Sequence, residues 1–142
     1  MISIRPAVSN DSQTLQKLFE QLGYQTQCEN IRRRLSEKTA YEIILVASTD
    51  EEICGVVVLN FITPMHEDGC WGVISALVID ENKRCAGIGY RLLAKAEAAA
   101  KANGCSKIEL ASSMKRERAH KFYESHGYEE KRKRYIKLLI SP

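Results

Sequence analysis

Residues 84–89 read Arg84-Cys85-Ala86-Gly87-Ile88-Gly89, between the polar turn Asp80-Glu81-Asn82-Lys83 and an apolar-periodic run. Glycine in a helix costs about 1 kcal/mol relative to alanine, so two glycines at a helix start ask for a reason. The first N–H groups of a helix lack internal acceptors, and the helix dipole adds partial positive charge there. An anionic group such as a diphosphate satisfies both. A Cβ at either glycine would hold the phosphates away from the main chain. Arg84 adds a cation able to pair with phosphate oxygens. The chemistry on offer is the binding of a diphosphate.

Two common diphosphate motifs do not fit. No glycine–lysine–serine/threonine follows a four-residue spacer, which removes the P-loop. Leu92 occupies the third-glycine position of the dinucleotide fingerprint. The strand before the turn also comes late and follows antiparallel strands, unlike a Rossmann domain.

The elements that must position this turn are readable from periodicity. Ile2 and Ile4 alternate with polar residues until Pro6, a short strand. Leu15, Leu18, Phe19 and Leu22 give a first helix its apolar face, beginning near Asn10 or Asp11 and ending at Gly23. Thr26 and Glu29 have the spacing of a capping box for a second helix, with Cys28, Ile31 and Leu35 inward. Residues 42–49 and 53–61 are β-branched runs joined by a tight acidic turn, and a fourth strand spans about Cys70 to Ile79. A long helix follows from Gly87 to about Asn103, then a fifth strand at 107–111. A short helix from about Arg116 carries Ala119, Phe122, Tyr123 and His126, and residues 128–139 supply one or two final strands. The order β-α-α-β-β-β-α-β-α-β, with strands four and five parallel across a helical crossover, predicts an α/β domain with a mixed, mostly antiparallel sheet.

Composition sets the outer bounds. The chain has 142 residues, 44% hydrophobic and 27% charged, which fits one domain over residues 1–142. A net charge of +3 is too mild to imply nucleic acid, and Lys131-Arg132-Lys133-Arg134 follows an acidic pair and reads as a solvated strand or turn. No apolar run is long enough to span a membrane, and the N-terminus lacks a signal-peptide stretch. Five scattered cysteines, none in a C-x-x-C motif and none at metal spacing with the three histidines, suit a reducing compartment. The expectation is a cytoplasmic protein with no metal site, no nucleic acid and no membrane partner.

The segment from Arg84 to Gly89 resembles motif A of the GNAT superfamily of acetyl-CoA-dependent N-acetyltransferases, Q/R-x-x-G-x-G/A. As in that family, it follows a strand (Ser75 to Asp80) and opens a long helix. A second signature of the family, A-x-x-F-Y-x-x-x-G-F/Y, is matched by Ala119, Phe122, Tyr123, Gly127 and Tyr128. The opening residues 2–7 are also similar to the family's start, and the resemblance covers essentially the whole chain in order.

The resemblance implies acetyl-CoA as donor. Its pyrophosphate would rest on Cys85, Ala86, Gly87, Ile88 and Gly89, with Arg84 and Tyr90 beside them. Its pantetheine arm would pair with the main chain of Leu77, Val78 and Ile79, where strands four and five splay. Tyr123 matches the tyrosine that protonates the leaving thiolate, with core packing beside Phe122 as the plainer role. A main-chain N–H of Val78 or Ile79 would serve the oxyanion. The middle of strand four contains no carboxylate and Ser75 is its one polar residue, which points to deprotonation through water. The resemblance also implies an acceptor pocket walled by residues 23–27 and 63–69. There Tyr24, Glu67 and Asp68 could receive an ammonium group. The implied activity is acetyl transfer to a primary amine of a small molecule or peptide, by direct attack in a ternary complex. The alternative is a non-catalytic acyl-CoA-binding sensor or regulatory module. Members of such a family are often homodimers, though no dimer seam is legible.

Overall fold

The β-branched runs become the central strands of one sheet, because branched side chains pack well on a pleated surface buried on both faces. The computed structural model describes residues 2–50, 52–83, 87–111, 117–131 and 135–140. Its elements are β1 (Ile2–Pro6), α1 (Ser12–Gln21), α2 (Cys28–Ser36), β2 (Glu42–Thr49), β3 (Glu52–Ile62), β4 (Cys70–Ile79), α3 (Ile88–Ala102), β5 (Cys105–Leu110) and α4 (Glu117–Ser125). A 3-10 turn at Ser9–Asp11 leads into α1. The chain divides into two compact units, Met1–Ala111 and Ser112–Pro142.

The first unit holds the sheet, in the order β1-β2-β3-β4-β5. Neighbours are antiparallel except β4 and β5, which are parallel, as a helical crossover between them requires. Helices cover both faces. Val46, Val56, Val58 and Val78 pack with Leu15 and Leu18 of α1 and Ile31 and Leu35 of α2. Gly55, one position before Val56, faces the other way: a Cβ there would stand 3.0 Å from Leu92 Cδ1 of α3. Ile88, Leu92, Leu93, Ala96 and Ala100 form the buried stripe of α3. Each such leucine contributes about 1.5–3 kcal/mol by leaving water.

The entry to α1 is pinned by charge. Arg5 donates to both carboxylate oxygens of Asp11, at 2.8 and 3.0 Å, and the Val8 N–H donates to Asp11 Oδ2 at 2.8 Å. Asp11 is buried, and the Arg5 hydrogen bonds hold its carboxyl below the usual carboxylate range despite the opposing cost of burial.

Two expected features took other forms. The Thr26–Glu29 capping box is not made: α2 starts at Cys28 with Gln27 as an N-cap lacking a side-chain bond. Glu29 instead pairs with Arg32 one turn along. The final strands are also absent among the described residues of 128–140. Tyr135, Ile136, Leu138, Leu139 and Ile140 are exposed there. Apolar residues supply a face for a strand, but a strand forms only against a neighbour's N–H and C=O groups.

Candidate functional site

The site builds around β4. Its ladder to β3 runs Gly55↔Ile79, Val56↔Val78, Val57↔Leu77 and Val58↔Ala76, and then jumps to Leu59↔Ile74. Ser75 is the extra residue, a β-bulge. The bulge turns Ser75 and Ala76 toward the α1/α2 face together, and both line a cavity of about 360 Å³ with Phe19, Tyr24, Val58 and Asn60. Thr26, Arg34 and Glu42 complete its wall.

On its other edge β4 pairs with β5 only from Cys70↔Cys105 to Ile74↔Leu110. From Ser75 to Ile79 its β5-side main-chain groups have no ladder partner among the described residues. The strand then turns at Asp80, whose N–H donates to the Cys54 carbonyl at 2.8 Å and whose Oδ1 accepts from the Asn82 N–H at 3.0 Å. Gln21 of α1 reaches this turn, accepting from the Glu81 N–H at 3.1 Å. Lys83 pairs with Glu52 at 2.9 Å, and that contact raises the lysine's pKa. Asp80 and Glu81 thus shape the turn.

Arg84, Cys85 and Ala86 lie outside the described residues. Gly87 is the N-cap of α3 at φ 90°, ψ −2°, a left-handed conformation that glycine adopts without strain. Among the described residues, chain neighbours aside, no atom stands within 4 Å of where a Cβ would sit. The first intrahelical bond is from the Arg91 N–H to the Gly87 carbonyl, 3.0 Å. The N–H groups of Ile88 and Gly89 stand at the helix mouth with no intrahelical acceptor. Ile88 is fully buried and Tyr90 exposed. The glycine at position 55 lets α3 lie close on the sheet, which fixes this mouth beside the end of β4.

A chain of hydrogen bonds runs along the wall of the cavity at the β4 bulge. Arg34 donates to Glu42 Oε2 at 2.7 Å, and Asn60 Nδ2 donates to the same oxygen at 2.9 Å. Ser75 Oγ lies 2.8 Å from Asn60 Oδ1. Glu42 and Asn60 are direct partners across the β2–β3 ladder. On their far side Arg34, Glu42 and Asn60 also border a smaller cavity of about 190 Å³ with Tyr41. None of Arg34, Glu42 and Asn60 was singled out by sequence. An asparagine directly after the apolar run Val56-Val57-Val58-Leu59 was the one available signal.

Of the expected acceptor residues, Tyr24 lines the larger cavity. Glu67 instead accepts a hydrogen bond from the Trp71 indole N–H at 2.7 Å, near the start of β4, with Lys107 Nζ 3.8 Å over the same ring. Glu67 and the exposed Asp68 are not among that cavity's lining residues.

The second unit carries Tyr123 on α4. Its ring packs edge-on against Phe122 (5.5 Å between centroids) and Tyr128 (5.9 Å). His126 packs against Phe122 at 4.6 Å. Gly127, at φ 90°, closes the helix with bonds from the Tyr128 N–H to the Tyr123 carbonyl and from its own N–H to the Glu124 carbonyl. Among the described residues no three His, Cys, Asp or Glu side chains gather as a metal site, and no helix is long and apolar enough to cross a membrane.

A family model described as Acetyltransferase (GNAT) family matches residues 10–128. The aminoalkylphosphonate N-acetyltransferase of Salmonella typhimurium is 28% identical over 141 residues, covering 96% of this chain and 90% of that protein. A GNAT family acetyltransferase of Staphylococcus aureus has a solved structure similar to this one at TM-score 0.80 and 25% identity, over 97% of this chain and 98% of that one. A transcriptional regulator from Bacillus halodurans shares the fold at TM-score 0.86 and 22% identity, over 98% of this chain and 100% of that one.

Proposed function

The chain belongs to the acetyltransferase (GNAT) family and is an acetyl-CoA-dependent N-acyltransferase, and from that premise we propose that it acetylates a small primary amine seated in the cavity between Tyr24 and Ser75. One observation carries this reading. The same five residues of β4 have no ladder partner on the β5 side among the described residues and have a cavity against their bulge on the α1/α2 face. A donor laid along the edge and an acceptor held in the cavity would meet at one strand. The Salmonella relative's name puts an aminoalkylphosphonate first among acceptors to try.

The residues present fit coenzyme A. Among the described residues, chain neighbours aside, nothing fills the space beside Gly87 at the α3 mouth, where main-chain N–H groups and the dipole favour phosphate. Gly87, Ile88, Gly89 and Tyr90 would cradle the pyrophosphate, completed by Arg84, Cys85 and Ala86. Leu77, Val78 and Ile79 would hold the pantetheine amides on the β4 edge. When bound, acetyl-CoA supplies an acyl group activated as a thioester.

The chain's own groups then have three tasks. The cavity must hold the amine in its neutral form; β4 carries no carboxylate and the one on Glu42 is engaged by Arg34 and Asn60, so water would take the proton. The N–H of Val78 or Ile79 would donate toward the oxygen that gains charge. Tyr123 would supply its phenol proton to the departing sulfur. The family match crosses the boundary between the two units, which supports a single acetyltransferase domain acting as a whole.

Release of free thiol from acetyl-CoA, followed over a panel of primary amines with mass detection of the acetylated product, tests the reading. An aminoalkylphosphonate, an amino sugar, a polyamine and a free amino acid make up the panel. Thiol release that depends on one of these amines is the expected result. Binding of acetyl-CoA with no release under any amine overturns it.

A further inference from the structure

The chain Arg34–Glu42–Asn60–Ser75 can be oriented in only one way. A guanidinium only donates and a carboxylate only accepts. Glu42 Oε2 therefore takes an N–H from Arg34 and another from the Asn60 amide. That turns the Asn60 carbonyl oxygen toward Ser75, so the Ser75 hydroxyl must give its single hydrogen to Asn60 Oδ1. What Ser75 has left is an oxygen with lone pairs and no proton to offer. Ser75 is exposed and borders the 360 Å³ cavity at the β4 bulge.

We infer that Ser75 is the specificity-determining residue for the amine: its oxygen, polarised through Asn60 by the Glu42 carboxylate, accepts an N–H of the acceptor. The inference rests on the acetyl-transfer reading above and deepens it. A group that brings a hydrogen is received, and one that presents only lone pairs meets repulsion. Holding one N–H in this way also fixes the nitrogen's rotation, so that its lone pair has a set direction.

Asn60→Leu supplies the decisive variant. Leu is close to Asn in shape but has no oxygen to accept the Ser75 hydrogen. The Ser75 hydroxyl is then free to turn that hydrogen into the cavity, and the link to Glu42 is cut while Glu42 keeps its bond from Arg34. The polarity of the docking point is no longer fixed, with little change of volume.

The experiment measures steady-state kinetics with acetyl-CoA and the best amine of the panel above. Ser75→Ala should raise KM for the amine about tenfold, as expected for one lost hydrogen bond near the upper end of the usual range, while KM for acetyl-CoA stays within about twofold. Ser75→Thr, which keeps the hydroxyl, should restore most of the loss. Asn60→Leu should raise the amine KM comparably, and in the Ser75→Ala background it should add almost nothing. A Ser75→Ala enzyme equal to wild type, or losses that simply multiply in the double variant, overturns this inference and leaves the acetyl-transfer reading standing. A wild-type protein that turns over no amine in the panel overturns both.

Discussion

Cys70 and Cys105 face each other at the first rung of the β4–β5 ladder, with their sulfurs 2.9 Å apart. Burial first, and then the hydrogen bond with Cys70, pushes the Cys105 thiol up to about 11. Thiolate is the reactive form, so its fraction at neutral pH falls on the order of a hundredfold below that of an unstructured cysteine. Alkylation of the native protein near pH 8, read by peptide mass spectrometry, should leave Cys105 almost unlabelled while denatured protein labels fully. Rapid labelling of the native thiol would contradict the assignment.

Asp11 should matter more than any surface acid. Asp11→Asn removes the paired bonds to Arg5, and because Arg5 is partly exposed the expected loss is about 1–2 kcal/mol at neutral pH. The carboxyl sits lower in the folded chain than in the unfolded one. Its contribution is therefore complete above the unfolded value, near 4, and fades as pH drops through the folded value. Urea titrations from pH 7 down to pH 3 should show wild type and variant converging. A gap that widens in acid would reverse the sign of the argument.

Tyr123→Phe keeps the ring contacts with Phe122 and Tyr128 and removes only the hydroxyl. If the phenol gives the proton, kcat should fall about a hundredfold, at the low end for a general acid, with acetyl-CoA affinity nearly intact. Turnover equal to wild type would confine the residue to packing.

Gly87→Val separates backbone from contact. Among the described residues, chain neighbours aside, no atom waits within 4 Å of the new Cβ, and the cost they show is the left-handed φ of 90°. A β-branched residue there should lower stability by about 1–2 kcal/mol. It should also weaken acetyl-CoA binding in calorimetry by tenfold or more, since the α3 mouth must rearrange. Undiminished affinity would detach Gly87 from the phosphates.

Much of the fold was legible because it is written in local pattern. The ends of β2 and β4 follow directly from β-branched runs bounded by turns, and α3 from its buried stripe. The α2 cap was misread because Glu29 had a rival partner, Arg32, that spacing alone could not rank. The glycine turn before α3 announces itself in composition. The Arg34–Glu42–Asn60–Ser75 chain does not, since it depends on which residue of β2 lies opposite Asn60 and on a single-residue slip in β4. Register is a tertiary outcome, set by packing on both faces.

The parallel ladder stops at Ile74 and Leu110 while β4 continues to Ile79. Among the described residues no strand lies along that stretch, and a ligand that paired with it would become part of the weave. Deuterium uptake by the outward-facing amides of that stretch should be fast in the bare protein and should slow sharply at saturating coenzyme. The protein's resistance to proteolysis would then rise and fall with the coenzyme concentration around it, making the ligand a conditional sixth strand as well as a reactant.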